Sequence, residues 1–120
     1  METNQPAKPE PFASTPAPPY VAVIFSSLRT AGDQGYEAMA DRMVTLAAQQ
    51  PGFLGVESAR NQDGFGITVS YWASMEAVQA WREHLEHREA QRLGLERWYE
   101  HFELRVARVK RASAGPTKTD

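Results

Sequence analysis

The chain has 120 residues, a formal net charge of −2 and no cysteine. This length allows one domain, and the missing cysteine excludes disulfides, thiolate catalysis and cysteine-ligated metal or iron–sulfur sites. The nearly balanced charge offers no clustered basic surface for nucleic-acid phosphates, so we expect no nucleic-acid partner. No apolar run approaches the roughly 18 residues that cross a bilayer, so we expect no membrane partner and a cytoplasmic location.

The first 19 residues differ in composition from the rest of the chain. They hold six of its eight prolines and little apolar surface apart from Phe12. Such a segment cannot offset the entropy of ordering by burying apolar surface. We therefore predict a disordered proline-rich leader over residues 1–19, a domain over residues 20–111 and a disordered polar tail over residues 112–120.

The first half of the domain is predicted to contain a strand and a helix. Residues Tyr20–Leu28 are rich in β-branched and aromatic types and predict a strand with two mostly apolar faces. Residues 33–50 place apolar side chains at i, i+3, i+4 and i+7, which predicts an amphipathic helix. Asp33 is expected to cap the first turn of this helix, and Pro51 to end it.

Two further strands, Phe53–Arg60 and Phe65–Trp72, flank a turn that closes with Asp63-Gly64, a hairpin signal. Along the second of these strands the side chains alternate between two faces. We expect the more apolar face to be core, and it consists of Phe65, Ile67, Val69 and Tyr71. The other face is small and partly polar, as a cavity lining would be, and consists of Gly66, Thr68, Ser70 and Trp72.

The last part of the domain is predicted to contain two helical segments and a strand. Ser74 is expected to cap a helix. The apolar stripe of that helix consists of Met75, Val78, Trp81 and Leu85. A second, more exposed helical segment continues to Arg92 and is expected to end near Gly94. Alternating apolar residues over Glu100–Val109 predict the final strand.

The predicted order is βαββαβ, an α+β fold of the ferredoxin-like type with helices on one face of an antiparallel sheet. The face that the helices leave open is too apolar to remain in contact with water, because an apolar patch above a few hundred Å² normally marks an interface. Two such sheets packed face to face close this surface most simply as a two-fold symmetric dimer. We therefore predict a homodimer.

Several short segments of the domain resemble one protein superfamily. They are Gln50-Pro51-Gly52-Phe53, Val69-Ser70-Tyr71-Trp72, Ala80-Trp81-Arg82, Glu86-His87-Arg88 and Trp98-Tyr99-Glu100. On these residues the chain resembles the antibiotic biosynthesis monooxygenase superfamily, which includes YgiN-type quinol monooxygenases and haem-degrading monooxygenases. The resemblance implies a dimeric α+β barrel over residues 20 to about 111.

The resemblance also implies a cavity in each subunit, between the sheet and the helices, that receives a flat aromatic molecule. Relatives of this type oxidise a phenolic or quinol substrate with O2, and we expect a monooxygenase without a bound cofactor. Such a site has to supply a proton acceptor, stabilisation for an oxyanion and a dry pocket. The candidate catalytic residues are His87, whose imidazole titrates near neutral pH, and Trp81, which matches the pocket tryptophan of the family. The candidate substrate-binding residues are Tyr71, Trp72, Tyr99, Ser27 and His84.

Two other functions stay open. The first is a non-catalytic dimeric barrel that binds a hydrophobic metabolite, with Trp81 serving only as core. The second is haem binding or degradation, for which the resemblance implies an asparagine on the first strand and a histidine ten residues after the tryptophan. The first strand has no asparagine, the tenth residue after Trp81 is Gln91, and His87 comes six residues after Trp81. His84 and His87 lie three residues apart without a carboxylate pattern that would complete a metal site, so we expect no metal.

Overall fold

The computed structural model describes residues 11–118, and residues 1–10 and 119–120 lie outside the described part. The elements are β1 (Tyr20–Arg29), α1 (Tyr36–Ala48), β2 (Phe53–Arg60), β3 (Phe65–Trp72), α2 (Met75–Glu83), α3 (Leu85–Leu93), a π-helical turn (Gly94–Trp98) and β4 (Tyr99–Val109). The predicted α+β, ferredoxin-like βαββαβ fold is confirmed, with its second helical region divided in two. No helix within residues 11–118 combines the length and the apolarity that crossing a bilayer requires.

The four strands form one antiparallel sheet in the order β2-β3-β1-β4. Residues that lie opposite each other in neighbouring antiparallel strands point to the same side, so the register assigns strand residues to a face. Val21 lies opposite Trp72, and both pack with Ala47 of α1 and Val78 of α2 in the buried core. We call the face that carries these side chains the helix side, and the other the open face.

The structure corrects the prediction for the two faces of β3. Phe65 and Ile67, which were expected in the core, lie on the open face and are 45% and 42% exposed, whereas Trp72 on the helix side is 0% exposed. The prediction was wrong because it assigned the face with more apolar residues to the core, whereas the helices cover the face that carries Trp72. Alternation alone separates the two faces of a strand but does not say which one the helices cover.

Helix α1 begins three residues later than predicted. Gly35 occupies the N-cap position with a left-handed φ of 84°, a conformation that favours glycine. Asp33 still caps the first turn through its side chain, because its carboxylate oxygens accept from the backbone N–H groups of Gly35 at 3.0 Å and Glu37 at 3.1 Å. The cap at Ser74 is confirmed, since Ser74 Oγ accepts from the backbone N–H of Ala77 at 3.1 Å.

The predicted apolar stripe of α2 is correct in its middle and wrong at its ends. Val78 and Trp81 are buried, but Met75 and Leu85 are 47% and 76% exposed. The physical reason is a break at His84, whose extended backbone (φ −61°, ψ 131°) ends α2 and lets α3 start in a new direction.

Gly94 does not end the second helical region as predicted. Its backbone is helical (φ −59°), and the chain continues through the π-helical turn. Glycine is needed there for space, because a Cβ at this position would meet the Tyr99 ring at 3.0 Å.

The described part of the predicted leader lies against the open face. The backbone N–H of Ala13 donates to a Glu57 carboxylate oxygen at 3.0 Å, and Thr15 Oγ1 donates to the Tyr20 hydroxyl at 3.1 Å. A Cβ at Gly55 would lie 2.9 Å from the Cβ of Ala13, so the leader approaches the β2 backbone closely. Residues 11–19 are thus held at these points, while residues 1–10 of the predicted disordered segment lie outside the described residues.

Candidate functional site

The helix side of the sheet is incompletely covered at its centre. Phe25 on β1 and Thr68 and Ser70 on β3 are only half-buried, although β1 and β3 are the two inner strands of the sheet. At the end of the same face, Trp72 is fully buried. We call this partly exposed stretch of the sheet, formed by Phe25, Thr68 and Ser70, the central hollow. Its floor carries hydroxyl groups, and Thr68 Oγ1 exchanges a 2.7 Å hydrogen bond with Ser58 Oγ on the neighbouring strand.

One end of the hollow is built from stacked rings, and we call it the aromatic end. The Trp81 ring stacks on His87, with ring centroids 4.5 Å apart and planes inclined by 16°, and lies 6.0 Å from the Trp72 ring at 26°. The indole N–H of Trp72 donates to Ser70 Oγ at 2.9 Å, so this end borders the hollow at Ser70. Trp81 is 9% exposed and belongs to the hydrophobic core, so it contributes to packing whatever else it does.

The surroundings of His87 fix its tautomer and its charge. Its Nδ1 lies 3.1 Å from the Trp81 carbonyl oxygen. A carbonyl oxygen only accepts, so Nδ1 carries the hydrogen and Nε2 keeps a free lone pair. Burial lowers the pKa of His87 below its ordinary 6.5 and outweighs the bond to the Trp81 carbonyl, which raises that pKa. At neutral pH the imidazole is therefore uncharged and able to accept a proton at Nε2.

His84 has a structural part in the same region. Its Nδ1 accepts from the backbone N–H of Glu86 at 3.2 Å and so caps α3. The cap requires a free lone pair on Nδ1, which places the hydrogen of the neutral ring on Nε2. The only accepting nitrogen of His84 is therefore already engaged, whereas Nε2 of His87 is free to accept. Within residues 11–118 no three histidine, aspartate or glutamate side chains are grouped as metal ligands.

The other end of the helix side is built around a cation, and we call it the basic end. The Arg60 guanidinium donates to the Ser27 carbonyl at 3.3 Å, to Ser27 Oγ at 2.8 Å and to the Tyr36 hydroxyl at 3.3 Å, and also to the Gly64 carbonyl. Arg60 lies opposite Gly66 in the register. A Cβ at position 66 would come within 2.7 Å of the Arg60 guanidinium carbon, so glycine there leaves room for the cation to lie against the sheet.

Two phenols and a second arginine complete the basic end. The Arg29 guanidinium carbon lies 3.8 Å from the centroid of the Tyr36 ring, a cation–π contact. The Tyr99 ring meets the Tyr36 ring edge-on at 5.8 Å. Burial raises the pKa of the Tyr99 phenol, and a hydrogen bond with Tyr36 raises it further. Tyr99 therefore stays protonated at neutral pH, beside two permanent cations.

The structure distributes the predicted site residues over three places. Four of them meet at the aromatic end: Trp72, Trp81, His84 and His87. Ser27 and Tyr99 belong to the basic end. Ser27 is 2% exposed, and its hydroxyl accepts a hydrogen bond from Arg60, so it does not face a ligand. Tyr71 lies on the open face, away from both ends, and its hydroxyl donates to Glu57 at 2.6 Å. Burial, followed by the hydrogen bond to Glu57, raises the pKa of Tyr71 to about 12.

The sequence interpretation missed Arg60, Arg29 and the role of Tyr36. The alternation of β3 already separates Tyr71 from Trp72, because adjacent strand residues point to opposite faces. Gly66 was the other available signal, since a glycine inside a strand often marks a close approach, but it does not identify the side chain that approaches.

The sequence positions that the resemblance implies for haem hold other residues. The bond from His87 Nδ1 to the Trp81 carbonyl leaves Nε2 free, as in many histidine ligands of metals. The first strand has no asparagine, however, and Gln91 stands ten residues after Trp81. No haem step is derived from these residues.

Known proteins share the sequence features of this chain. Residues 19–93 match the model of a family described as antibiotic biosynthesis monooxygenase. The chain is also 59% identical over 100 residues to the uncharacterised protein YqjZ of Bacillus subtilis (strain 168). That alignment spans 83% of this chain and 88% of YqjZ.

Solved structures with low sequence identity share the fold. The structure of Rv0793 from Mycobacterium tuberculosis matches with a TM-score of 0.68 at 18% identity and covers 78% of this chain and 99% of its own. SnoaB, a cofactor-independent oxygenase from Streptomyces nogalater, matches with a TM-score of 0.64 at 15% identity and covers 86% of this chain and 100% of its own. At these identities the likeness concerns the fold alone.

Proposed function

Because the chain belongs to the antibiotic biosynthesis monooxygenase family, we propose that it is a cytoplasmic monooxygenase that oxidises a small aromatic or quinol-type substrate with O2 and no bound cofactor. The observation that carries this proposal is the stack of Trp72, Trp81 and the neutral, half-buried His87 imidazole, whose inner ring, Trp72, reaches the partly exposed centre of the sheet at Ser70. The cofactor-independent oxygenase SnoaB has the same fold, which agrees with the proposal.

The chemistry balances without an external reductant. When an activated CH2 group of an anthrone-type substrate becomes a carbonyl, the substrate gives up four electrons, and O2 accepts four. One oxygen atom enters the product, and the other leaves as water with the two hydrogens of the CH2 group. A hydroquinone that becomes a hydroxyquinone follows the same balance. The protein therefore has to bind the substrate, remove a proton and exclude bulk water.

We assign the proton transfer to His87 and the placement of the ring to the aromatic end. His87 Nε2 would accept the proton whose loss makes the substrate an electron-rich anion, because its Nδ1 is already committed to the Trp81 carbonyl. Trp81, which stacks with both Trp72 and His87, would fix the position of the imidazole, and Trp72 would border the bound ring at Ser70. The hydroxyls of Ser70 and Thr68 on the floor offer hydrogen bonds to oxygen atoms of the substrate.

Oxygen uptake tests this proposal. Purified protein is incubated with a panel of hydroquinones and anthrones in an oxygen electrode, and the products are identified by mass spectrometry after reaction with labelled O2. We expect uptake above buffer for at least one compound and one labelled atom in the product. His87→Gln should lower the rate by about 100- to 10,000-fold, the usual contribution of a general base. Arg88→Gln is the control, because Arg88 is an exposed residue of the same helix.

The result also decides between the oxygenase and a non-catalytic binding protein. Ligands that raise the melting temperature without any oxygen uptake across the panel would contradict the oxygenase and favour a dimeric barrel that binds a hydrophobic metabolite. In that case Trp81→Phe should still weaken binding.

We also propose that two copies pair through the open face. Phe65 and Ile67 expose large apolar side chains there, and burial of such a patch stabilises association. Light scattering on a size-exclusion column at micromolar concentration should give twice the mass of one chain. Ile67→Glu should shift the protein towards monomer, whereas Leu95→Glu, at a residue 69% exposed in the π-helical turn, should not. A monomeric wild-type protein would contradict the dimer.

A further inference from the structure

We propose that the basic end is an anion subsite that binds the ionised oxygen of a phenolic ligand and so selects substrates with an acidic phenol. Its role as a substrate subsite rests on the proposed function. It extends that function in two ways: the substrate would be an acidic phenol, and its phenolic oxygen would face the basic end of the hollow. Arg60 is its main element, with Arg29 and the phenols of Tyr36 and Tyr99 around it.

The register places Arg60 at the edge of the hollow. Arg60 pairs with Gly66 and Ser58 pairs with Thr68, so the four side-chain positions lie on the helix side in two consecutive rows. Rows on one face of a sheet are about 7 Å apart. A ring bound above Thr68 therefore lies within reach of the Arg60 guanidinium through a substituent of one or two atoms.

Arg60 has no carboxylate partner among residues 11–118. All the acceptors of Arg60 are neutral, namely two backbone carbonyls and the hydroxyls of Ser27 and Tyr36. Three surface arginines of the described residues, in contrast, form ion pairs: Arg42 with Glu86, Arg92 with Glu89 and Glu96, and Arg105 with Glu103. A half-buried guanidinium satisfied only by neutral acceptors keeps its attraction for an anion.

Arg29 adds a second positive charge on the same side. Its guanidinium packs on the Tyr36 ring at 3.8 Å and donates to the carbonyls of Gly32 and Asp33 at 3.1 and 3.2 Å. Its Nε is buried and has no hydrogen-bond partner among the described residues. Two guanidiniums thus act on one small region, in which the Tyr99 phenol has a raised pKa and contributes no negative charge at neutral pH.

A structural explanation of Arg60 makes a different prediction. The bonds of Arg60 to Ser27 and Gly64 tie the β2–β3 hairpin to β1, and their loss would lower stability in either case. Only an anion subsite, however, changes the ionisation of a bound phenol, because a cation within about 4 to 6 Å favours the charged form and lowers its pKa by about one to three units.

The experiment measures the pKa of a bound phenol by its colour. The probe is 4-nitrophenol, whose phenolate absorbs visible light, titrated against pH with full-length protein in excess. The titratable and charged groups that act on Tyr99 are Tyr36, Arg60 and Arg29, and Asp33, whose backbone carbonyl accepts from the Arg29 guanidinium, lies next to them. We expect wild-type protein to lower the pKa of the probe by about one unit or more, a tenfold gain in phenolate at a given pH.

Variants separate charge from structure. Arg60→Gln should abolish the pKa shift, Arg60→Lys should retain part of it because the positive charge remains, and Tyr36→Phe should leave most of it. Arg88→Gln, at an exposed arginine of α3, is the matched control and should behave as wild type. Circular dichroism confirms the fold of each variant, and Arg60→Lys keeps the test valid if Arg60→Gln unfolds. No shift with wild-type protein, or an equal shift with Arg60→Gln and Arg60→Lys, would overturn the anion subsite.

The outcome is independent of oxygen uptake. A shift that depends on Arg60 in a protein without oxygenase activity would support the subsite and contradict the oxygenase. Oxygen uptake at equal rates for acidic and non-acidic substrates, with no pKa shift of the probe, would support the oxygenase and contradict the anion subsite.

Discussion

The two ends of the helix side are built in opposite ways. At the aromatic end, Trp72 and Trp81 are buried and packed with residues of α1 and α2, and a neutral histidine stacks on the outer ring. At the basic end, Arg60 and Arg29 bring positive charge under the start of α1 and are held mainly by neutral oxygen atoms. The first end resembles the interior of any small domain, whereas the second places charge where burial makes it costly.

This difference separates stability from recognition. A chain of this size buries a modest core, so the aromatic end supplies a large part of the apolar burial that keeps the domain folded. At the basic end, Gly66, the buried Ser27 and two backbone carbonyl groups all serve to position the Arg60 guanidinium. Substitutions at the aromatic end should therefore act first on stability, and those at the basic end first on ligand selection.

Trp72→Ala should have the largest effect on stability. Trp72 is 0% exposed and lies between Phe53 and Trp81, and truncation of such a residue leaves a cavity that costs about 3 to 5 kcal/mol. Urea denaturation measures the loss. Met75→Ala, at a residue 47% exposed in the same region, should change the unfolding free energy by less than about 0.5 kcal/mol. Equal losses for the two variants would contradict a packed core at the aromatic end.

Gly66→Ala should have an intermediate effect on stability and a large one on the basic end. The added Cβ would meet the Arg60 guanidinium carbon at 2.7 Å and the Ala59 carbonyl at 3.0 Å, and overpacking of this kind costs about 1 to 3 kcal/mol. The cost should fall in an Arg60→Ser background, which a double-mutant cycle by urea denaturation measures. Gly115→Ala, in open space, is the control. An unchanged cost in that background would show that Arg60 does not lie over Gly66.

The pH dependence of stability should show the smallest effect. Because burial lowers the folded-state pKa of His87 below its ordinary 6.5, the unfolded chain binds more protons between the two values. This contribution is fully present above about pH 6.5 and is lost as the pH falls through the lowered pKa of the folded state. Urea denaturation from pH 5 to 8 should show a flatter profile for His87→Gln than for wild type. A profile unchanged by His87→Gln would contradict a buried neutral imidazole.

The sequence specified the fold more completely than the site. The bounds of β2 and β3, the cap at Ser74 and the βαββαβ order were predicted correctly, because hairpin, cap and alternation signals are local. The aromatic end followed from a helix tryptophan and a histidine six residues later, which are also close in the sequence. These features depend on neighbours along the chain, which a sequence displays directly.

The basic end depends on features that are not local. β2 has a bulge between Phe53 and Gly55, so the alternation after it is shifted by one residue. Simple alternation from Phe53 would put Arg60 on the open face, whereas the bulge puts it on the helix side, opposite Gly66. The sequence gives no clear signal for this bulge, and without it Arg60 cannot be placed beside Ser27 and Tyr36.

The central claim is that the hollow between the two ends holds the substrate, and filling it tests this most directly. Thr68→Phe places a large ring on the floor, and Thr45→Phe places the same ring at an exposed position of α1 as a control. Oxygen uptake is measured for both variants and wild type with the best substrate of the panel, after circular dichroism has confirmed folding. We expect uptake to be lost in Thr68→Phe and to match wild type in Thr45→Phe. Wild-type rates in a folded Thr68→Phe protein would contradict the claim.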